Sequence, residues 1–232
     1  ELLQSFQAGK INLPDLFQGL AQSQGFALIA HQPGKPDHLV TVSPSEQEDS
    51  QLVVLFTDEL SVMRSGMSGE IETTKVPLLL VLARVLALGA GGIAVNPTKT
   101  SGLSFDADHV RLLFREVALV ELAAQEGAWV GVIEGRPLAI QIGENRYMVP
   151  VYLSEDMARH AMVNHPGDFA KVGFDVLLRR LREVGAEGLF LQGGLPEQIG
   201  VPLPLVRDLV GEPNPIPGVE AAIKEGVKGD NL

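Results

Sequence analysis

Four residues near the middle of the chain have the types that chemistry needs: Asn96, Lys99, Asp106 and His109. The stretch Asn96-Pro97-Thr98-Lys99-Thr100-Ser101-Gly102 is polar and follows the apolar run Ile93–Val95. Lys99 with the flanking hydroxyls could hold a small anion. His109 near Asp106 could move a proton. The stretch lacks the Gly-x4-Gly-Lys spacing of a phosphate loop, and Asn96-Pro97 alone makes a turn after a strand. The four residues are therefore ligand-loop candidates, set against the plainer reading of a polar turn.

Other patterns offer less. Gly89-Ala90-Gly91-Gly92-Ile93-Ala94 fits G-x-G-x-x-A, but a dinucleotide site needs its glycines after a strand and at the start of a helix. Here they close a helix and enter a strand, so they read as a helix stop. His160 and His165 lie five apart with Asp168 beyond them. A helical metal pair wants a spacing of about three or four, and Pro166 ends any helix at His165. No Ser or Thr sits in a Gly-x-Ser-x-Gly elbow. Asp58, Glu59, Glu155 and Asp156 fall where helix starts are expected and read as first-turn charges. Trp129 is the single tryptophan and reads as a core anchor beside Val130 and Val132. These patterns lead us to expect no catalytic residue, no metal and no cofactor.

Composition narrows the partners. Of 232 residues, 18 are Lys or Arg and 29 are Asp or Glu, a formal charge of −11. Phosphate neutralisation needs clustered cations, so a nucleic-acid partner is not expected, nor is an anionic membrane surface. The most apolar run, Val76–Ala90, contains Arg84 and is shorter than the roughly 20 residues of a membrane span. With 45% apolar residues the chain is no disordered acidic tail. It has no cysteine, which rules out disulfides and thiolate-held metals and fits a cytoplasmic location. The chain opens on Glu1, not Met, so an upstream segment is expected to have been lost.

The elements that must position these residues come in duplicate. Lys75–Leu113 aligns without a gap to Lys171–Leu209, and ten of 39 positions are identical, among them Lys75/Lys171, Arg84/Arg180, Gly89/Gly185, Gly92/Gly188 and Val110/Val206. Upstream, Leu55–Leu60 resembles Tyr152–Met157, with Thr57 and Ser154 as expected helix N-caps. One unit reads as strand, strand, strand, capped helix, second helix, strand, loop, helix. The third strands are Leu52–Phe56 and Tyr147–Leu153, the second helices Val76–Leu88 and Val172–Val184, and the next strands Ile93–Val95 and Leu189–Leu191. Strands followed by helices predict an α+β fold of two tandem homologous units, each a small, mainly antiparallel sheet packed on helices. The expected boundaries are 1–24 for a helical preface, 25–126 and 127–211 for the units, and 212–232 for a Pro- and Gly-rich tail.

The two second helices differ. Leu177, Leu178, Leu181 and Val184 make one apolar stripe, with Asp175, Arg179, Arg182 and Glu183 outside it. The matching outer positions of the first unit are Leu79, Ala83, Leu86 and Ala87. An apolar outer face must be covered, so these four are expected interface positions. The cover is expected from the second unit, from the N-terminal helix or from a partner subunit.

The run Val149-Pro-Val-Tyr-Leu-Ser-Glu-Asp156, a two-helix stretch, an apolar strand into Asn-Pro at Gly92–Pro97, and a loop leading to the helix at His109–Leu113 resemble the SseB N-terminal domain family. Phe6-Gln-Ala-Gly-Lys-Ile11 is similar to what precedes that domain in bacterial members. The resemblance covers residues 1–211 as two units in tandem, and the second unit replaces Asn-Pro with Gln192-Gly193. It implies a bacterial protein and supplies no catalytic residue to carry over; the missing catalytic pattern and the apolar face that needs covering predict a non-enzymatic, protein-binding or regulatory module. The expected partner is another protein or a second copy, as in a homodimer. The alternative is a small-molecule-binding protein or hydrolase with a site between the units.

Overall fold

Leu52–Phe56 is apolar at every position, and the fold buries all five residues. In a computed structural model this strand is the centre of the first of two compact units. The structure describes residues 2–22, 26–43, 51–67, 71–97, 102–161, 163, 168–193, 195 and 198–209. The units are Glu1–Ala124 with Gly194–Ile199, and Gln125–Gly193 with Gly200–Leu232.

The first unit runs α1 (Leu2–Gln7), α2 (Leu13–Gln22), β1 (Phe26–Gln32), β2 (Lys35–Leu39), β3 (Thr41–Val42), β4 (Leu52–Phe56), α3 (Glu59–Arg64), β5 (Glu72–Pro77), α4 (Leu78–Ala87), β6 (Gly92–Val95), β7 (Leu103–Asp106) and α5 (Ala107–Ala124). The sheet order is β2-β1-β4-β6-β7, with β3 beside β4 and β5 beside β1. β4 and β6 are parallel, and the other described pairs of the unit are antiparallel. On one face Ala30, Val54 and Phe56 meet Leu28, Val62 and Met67. The opposite face takes α4, whose Val81, Leu82 and Val85 are fully buried. The amphipathic helix α5 packs against both α4 and α2.

The second unit runs β8 (Ala128–Ile133), β9 (Arg136–Pro137), β10 (Ile140–Gly143), β11 (Arg146–Val151), α6 (Glu155–Ala161), β12 (Asp168–Val172), α7 (Phe174–Val184), β13 (Gly188–Leu191), β14 (Ile199–Pro202) and α8 (Leu203–Leu209). Its strands form the orders β10-β11-β13-β14 and β12-β8-β9, with a Trp129–Tyr152 bridge between β8 and the end of β11. The pair β11–β13 is parallel. The fold is therefore α+β, with sheets that are mainly antiparallel and packed on helices.

The internal wiring of the units matches at a constant interval. Leu52 pairs with Gly92, and Met148 with Gly188, each partner 96 residues further on. Helices start at Glu59 and Glu155, at Leu78 and Phe174, and at Ala107 and Leu203, again 96 apart. The same interval moves the backbone bond from Asn96 N–H to Leu55 C=O onto that from Gln192 N–H to Val151 C=O, both 2.8 Å.

Several expectations shift. The second helices start at Leu78 and Phe174, because the segments before them, Glu72–Pro77 and Asp168–Val172, are strands paired with β1 and β8. Pro77 closes the first of these with an extended ψ of 135° and admits the helix after it. The loop holding Leu103 is also a strand, paired with β6. Asp58, not Thr57, caps α3, since its carboxylate accepts the Ser61 N–H at 2.7 Å. Asp58 thereby matches Ser154, whose hydroxyl accepts the Met157 N–H at 3.2 Å. Trp129 is only half-buried. The buried aromatic there is Tyr152, whose hydroxyl donates to the Gly193 carbonyl at 2.9 Å and whose pKa burial pushes up.

The expected interface face divides. Ala83 and Leu86 are buried within the chain, Leu79 is half-buried, and Ala87 is exposed. α5 lies against α4, a neighbour that the sequence reading did not consider as the cover. In α7 the equivalent Arg179 and Arg182 are exposed and the single stripe Leu177, Leu178 and Leu181 is buried, as its pattern predicts.

Gly92 and Gly188 open the two strands β6 and β13. A Cβ on either would sit 2.0 Å from a backbone oxygen, of Phe105 in one unit and of Val201 in the other. Gly92 also has a φ of 150°. Gly92→Ala and Gly188→Ala are each expected to cost at least about 2 kcal/mol by forcing neighbouring backbone apart. Chemical denaturation of each variant checks this.

Candidate functional site

The carboxyl ends of β4 and β6 lie side by side, and such ends of parallel strands are where α/β folds place ligands. Asn96 follows β6 directly, in the left-handed region with a φ of 49°. A short polar side chain tolerates that conformation better than most. Its Oδ1 accepts the Thr57 N–H at 3.0 Å, and its Nδ2 donates to Thr57 Oγ1 at 2.9 Å. Thr57 Oγ1 in turn donates to Asp58 at 2.8 Å. This relay ties the end of β6 to the end of β4 and to the start of α3. Bonds from the Ser61 backbone and the Thr57 hydroxyl, with Arg64 nearby, hold the Asp58 carboxyl below the ordinary carboxylate range.

Two cavities open at this place. One of about 200 Å³ is lined by Gln4, Gln7, Ser61, Arg64, Asn96 and Gly102, with Leu3, Val95 and Leu103. The other, of about 150 Å³, is lined by apolar side chains including Leu20, Ala27, Leu55, Ile93, Phe105 and Leu113. Leu3 and Val95 line both. Helix α1 thus contributes one wall to each, and Leu2 of the same helix approaches Gly19 of α2 so closely that a Cβ there would meet it at 2.9 Å.

Asp106 and His109 are brought together, but not with Asn96. Asp106 pairs with Gly92 at the start of β6, whereas Asn96 follows its end. Four strand rises, or roughly 13 Å, separate the two places. Asp106 Oδ1 accepts the His109 N–H at 2.9 Å, the bond of a helix N-cap, and His109 Nδ1 lies 2.8 Å from the same oxygen. The His109 ring also rests beside Phe17 and Phe105, with centroids 6.5 and 6.4 Å away. The backbone bond from His109, followed by the ring's own bond and charge, lowers the Asp106 pKa. Asp106 and His109 therefore start α5. Lys99 and His165 lie outside the described residues. His160 is exposed at the end of α6, and among the described residues no group of three or more His, Cys, Asp or Glu could hold a metal.

The position matching Asn96 is Gln192, fully buried with a φ of 53°. Its Nε2 approaches Met157 Sδ at 2.7 Å, and its Oε1 has no hydrogen-bond partner. The polar relay of the first unit is therefore not repeated in the second.

Sequence reasoning missed Thr57, Arg64 and the two glutamines of α1 as neighbours of Asn96. They come from elements far apart in the chain, and no spacing reports such a meeting. It also missed His31, buried in β1 with Nε2 at 3.0 Å from Thr74 Oγ1 on β5. Its place at the end of the continuous apolar run Phe26–Ala30 was the available signal.

No family model matches the chain, and no curated protein matches it. Two solved structures are similar to a slight degree. "Anabaena Tic22 (protein transport)" shares 13% identity over 86% of this chain and 99% of its own, with a TM-score of 0.22. "Tic22 from Plasmodium falciparum" shares 10% identity over 83% and 94%, also at 0.22. Overlap so low carries no inference about this chain. No described helix is long and apolar enough to cross a membrane.

Asp106→Ala removes the cap of α5 and is expected to cost about 0.5–2 kcal/mol near neutral pH. Because folding lowers the Asp106 pKa, its contribution is present above the ordinary carboxylate range and lost as pH falls through the depressed value. Melting curves of variant and wild type should therefore converge in acid. Asn96→Ala removes both Thr57 bonds and strains the backbone, and is expected to cost about 1–3 kcal/mol at every pH. Parallel denaturation at several pH values separates the two.

Proposed function

We propose that this chain is a non-enzymatic, SseB-like module of the bacterial cytoplasm, built of two homologous units, that acts by protein contact. Its first partner is a second copy of itself, docked through the outer edge of α4. The carrying observation is that edge. Leu80 and Leu88 are 48% and 59% exposed and flank Ala87 and Arg84, which reaches Asp37 of β2 at 3.4 Å. The stripe runs into an open depression lined by Leu39, Thr41, Val53, Leu88, Gly89 and Ala90. Exposed leucines grouped around an ion pair in this way fit a protein contact. The polar groups that chemistry would need support the non-enzymatic reading, since Asp58 and Asp106 cap helices and Asn96 holds Thr57. A net charge of −11 supports a protein partner over nucleic acid or an anionic membrane.

The buried and exposed parts of α4 test this apart. Leu86→Asp places a charge at a buried site and should lower the melting temperature strongly, whatever the assembly. Leu80→Asp with Leu88→Asp should leave melting unchanged at concentrations where the wild type is monomeric, and should abolish self-association in sedimentation across a range of concentrations. A wild type that stays monomeric at high concentration, or a double variant that associates like it, overturns the proposal.

A further inference from the structure

We infer that the paired cavities at the ends of β4 and β6 form one binding site for a small carboxylate with a short apolar tail. This goes beyond the α4 surface and does not depend on it. Protein interiors are close-packed, and unfilled apolar volume is destabilising in proportion to its size. The side chains here leave about 150 Å³ between Leu20, Ala27, Leu55, Ile93, Phe105 and Leu113. An apolar space of about that size takes up a benzene-sized group of about six carbons.

The second half is the polar cavity beside it. Leu3 and Val95 line both, so these two side chains are what lies between a tail in one and a head group in the other. Among the described residues the head-group side offers the Arg64 guanidinium, with the amides of Gln4 and Gln7 and the Ser61 hydroxyl as further polar groups. Asp58 is turned into its cap and is not among the lining residues. Asn96 is also committed, to Thr57. What remains for a ligand is the Arg64 guanidinium with several hydrogen-bonding groups, beside an apolar chamber. That combination fits a carboxylate better than an alcohol or an amine, because Arg presents paired donors to two oxygens. The half-buried Leu3 of α1 is the wall that must yield, and α1 has no fully buried residue to hold it in place.

The test is a titration of the full chain with hexanoate, hexanol and acetate, read by calorimetry and by amide NMR shifts. Hexanoate should bind saturably and shift the amides of Val95, Asn96 and Thr57, and acetate should not. Arg64→Gln, at an exposed site, should weaken hexanoate about tenfold and leave hexanol unchanged. Ala27→Leu should fill the apolar chamber, melt at or above the wild type, and block both six-carbon ligands. The proposal is overturned if hexanoate gives no saturable signal, if Arg64→Gln weakens hexanol as much as hexanoate, or if a folded Ala27→Leu binds like the wild type.

Discussion

The parallel pairing of β4 with β6 is the constraint on which the first unit depends. β4 is buried from Leu52 to Phe56, so its backbone groups have no water and must find partners in the sheet. They find them in β6 on one side and in β1 and β3 on the other. A parallel neighbour requires a crossover, and α3, β5 and α4 supply it. Gly92 then lets β7 come close enough to complete the ladder. The second unit meets the same constraint 96 residues later, with Met148 opposite Gly188.

The ends of that pair explain why the polar loop residues look like a site and what they do. A strand that ends beside its parallel neighbour leaves two chain exits close together. In the first unit Asn96 ties them through Thr57. In the second the same position is Gln192, buried and bonded to a sulfur, while Tyr152 holds Gly193 instead. The same backbone thus carries two different side-chain solutions. The first solution leaves Arg64 and the two amides of α1 beside the strand ends, and the second buries the matching side chain.

Much of the fold was legible because burial imposed a pattern. The continuous apolar run Leu52–Phe56, the single stripe of Phe174–Val184 and the Gly-Ala stops after both helices all reported their structure directly. Gly89 and Gly185 indeed take φ values of 63° and 62°. The strands Glu72–Pro77 and Asp168–Val172 were not legible, because they are largely exposed and carry polar residues wherever solvent permits. Their identity comes from pairing with β1 and β8, which is a fact about distant residues. The cover of α4 escaped for a related reason, since α5 reaches it only through the tertiary fold. The candidate loop showed its residue types but not their employment. Whether Asp106 is an acid or a helix cap depends on where the next helix begins.

Residue-level hydrogen exchange tests the central claim, that the β4–β6 ladder is the keystone of the first unit. The account predicts that the amides of Val53–Phe56 and Ile93–Val95 exchange only through global unfolding and are the slowest of that unit. It is contradicted if those amides exchange through local opening while the β1–β5 pair stays protected.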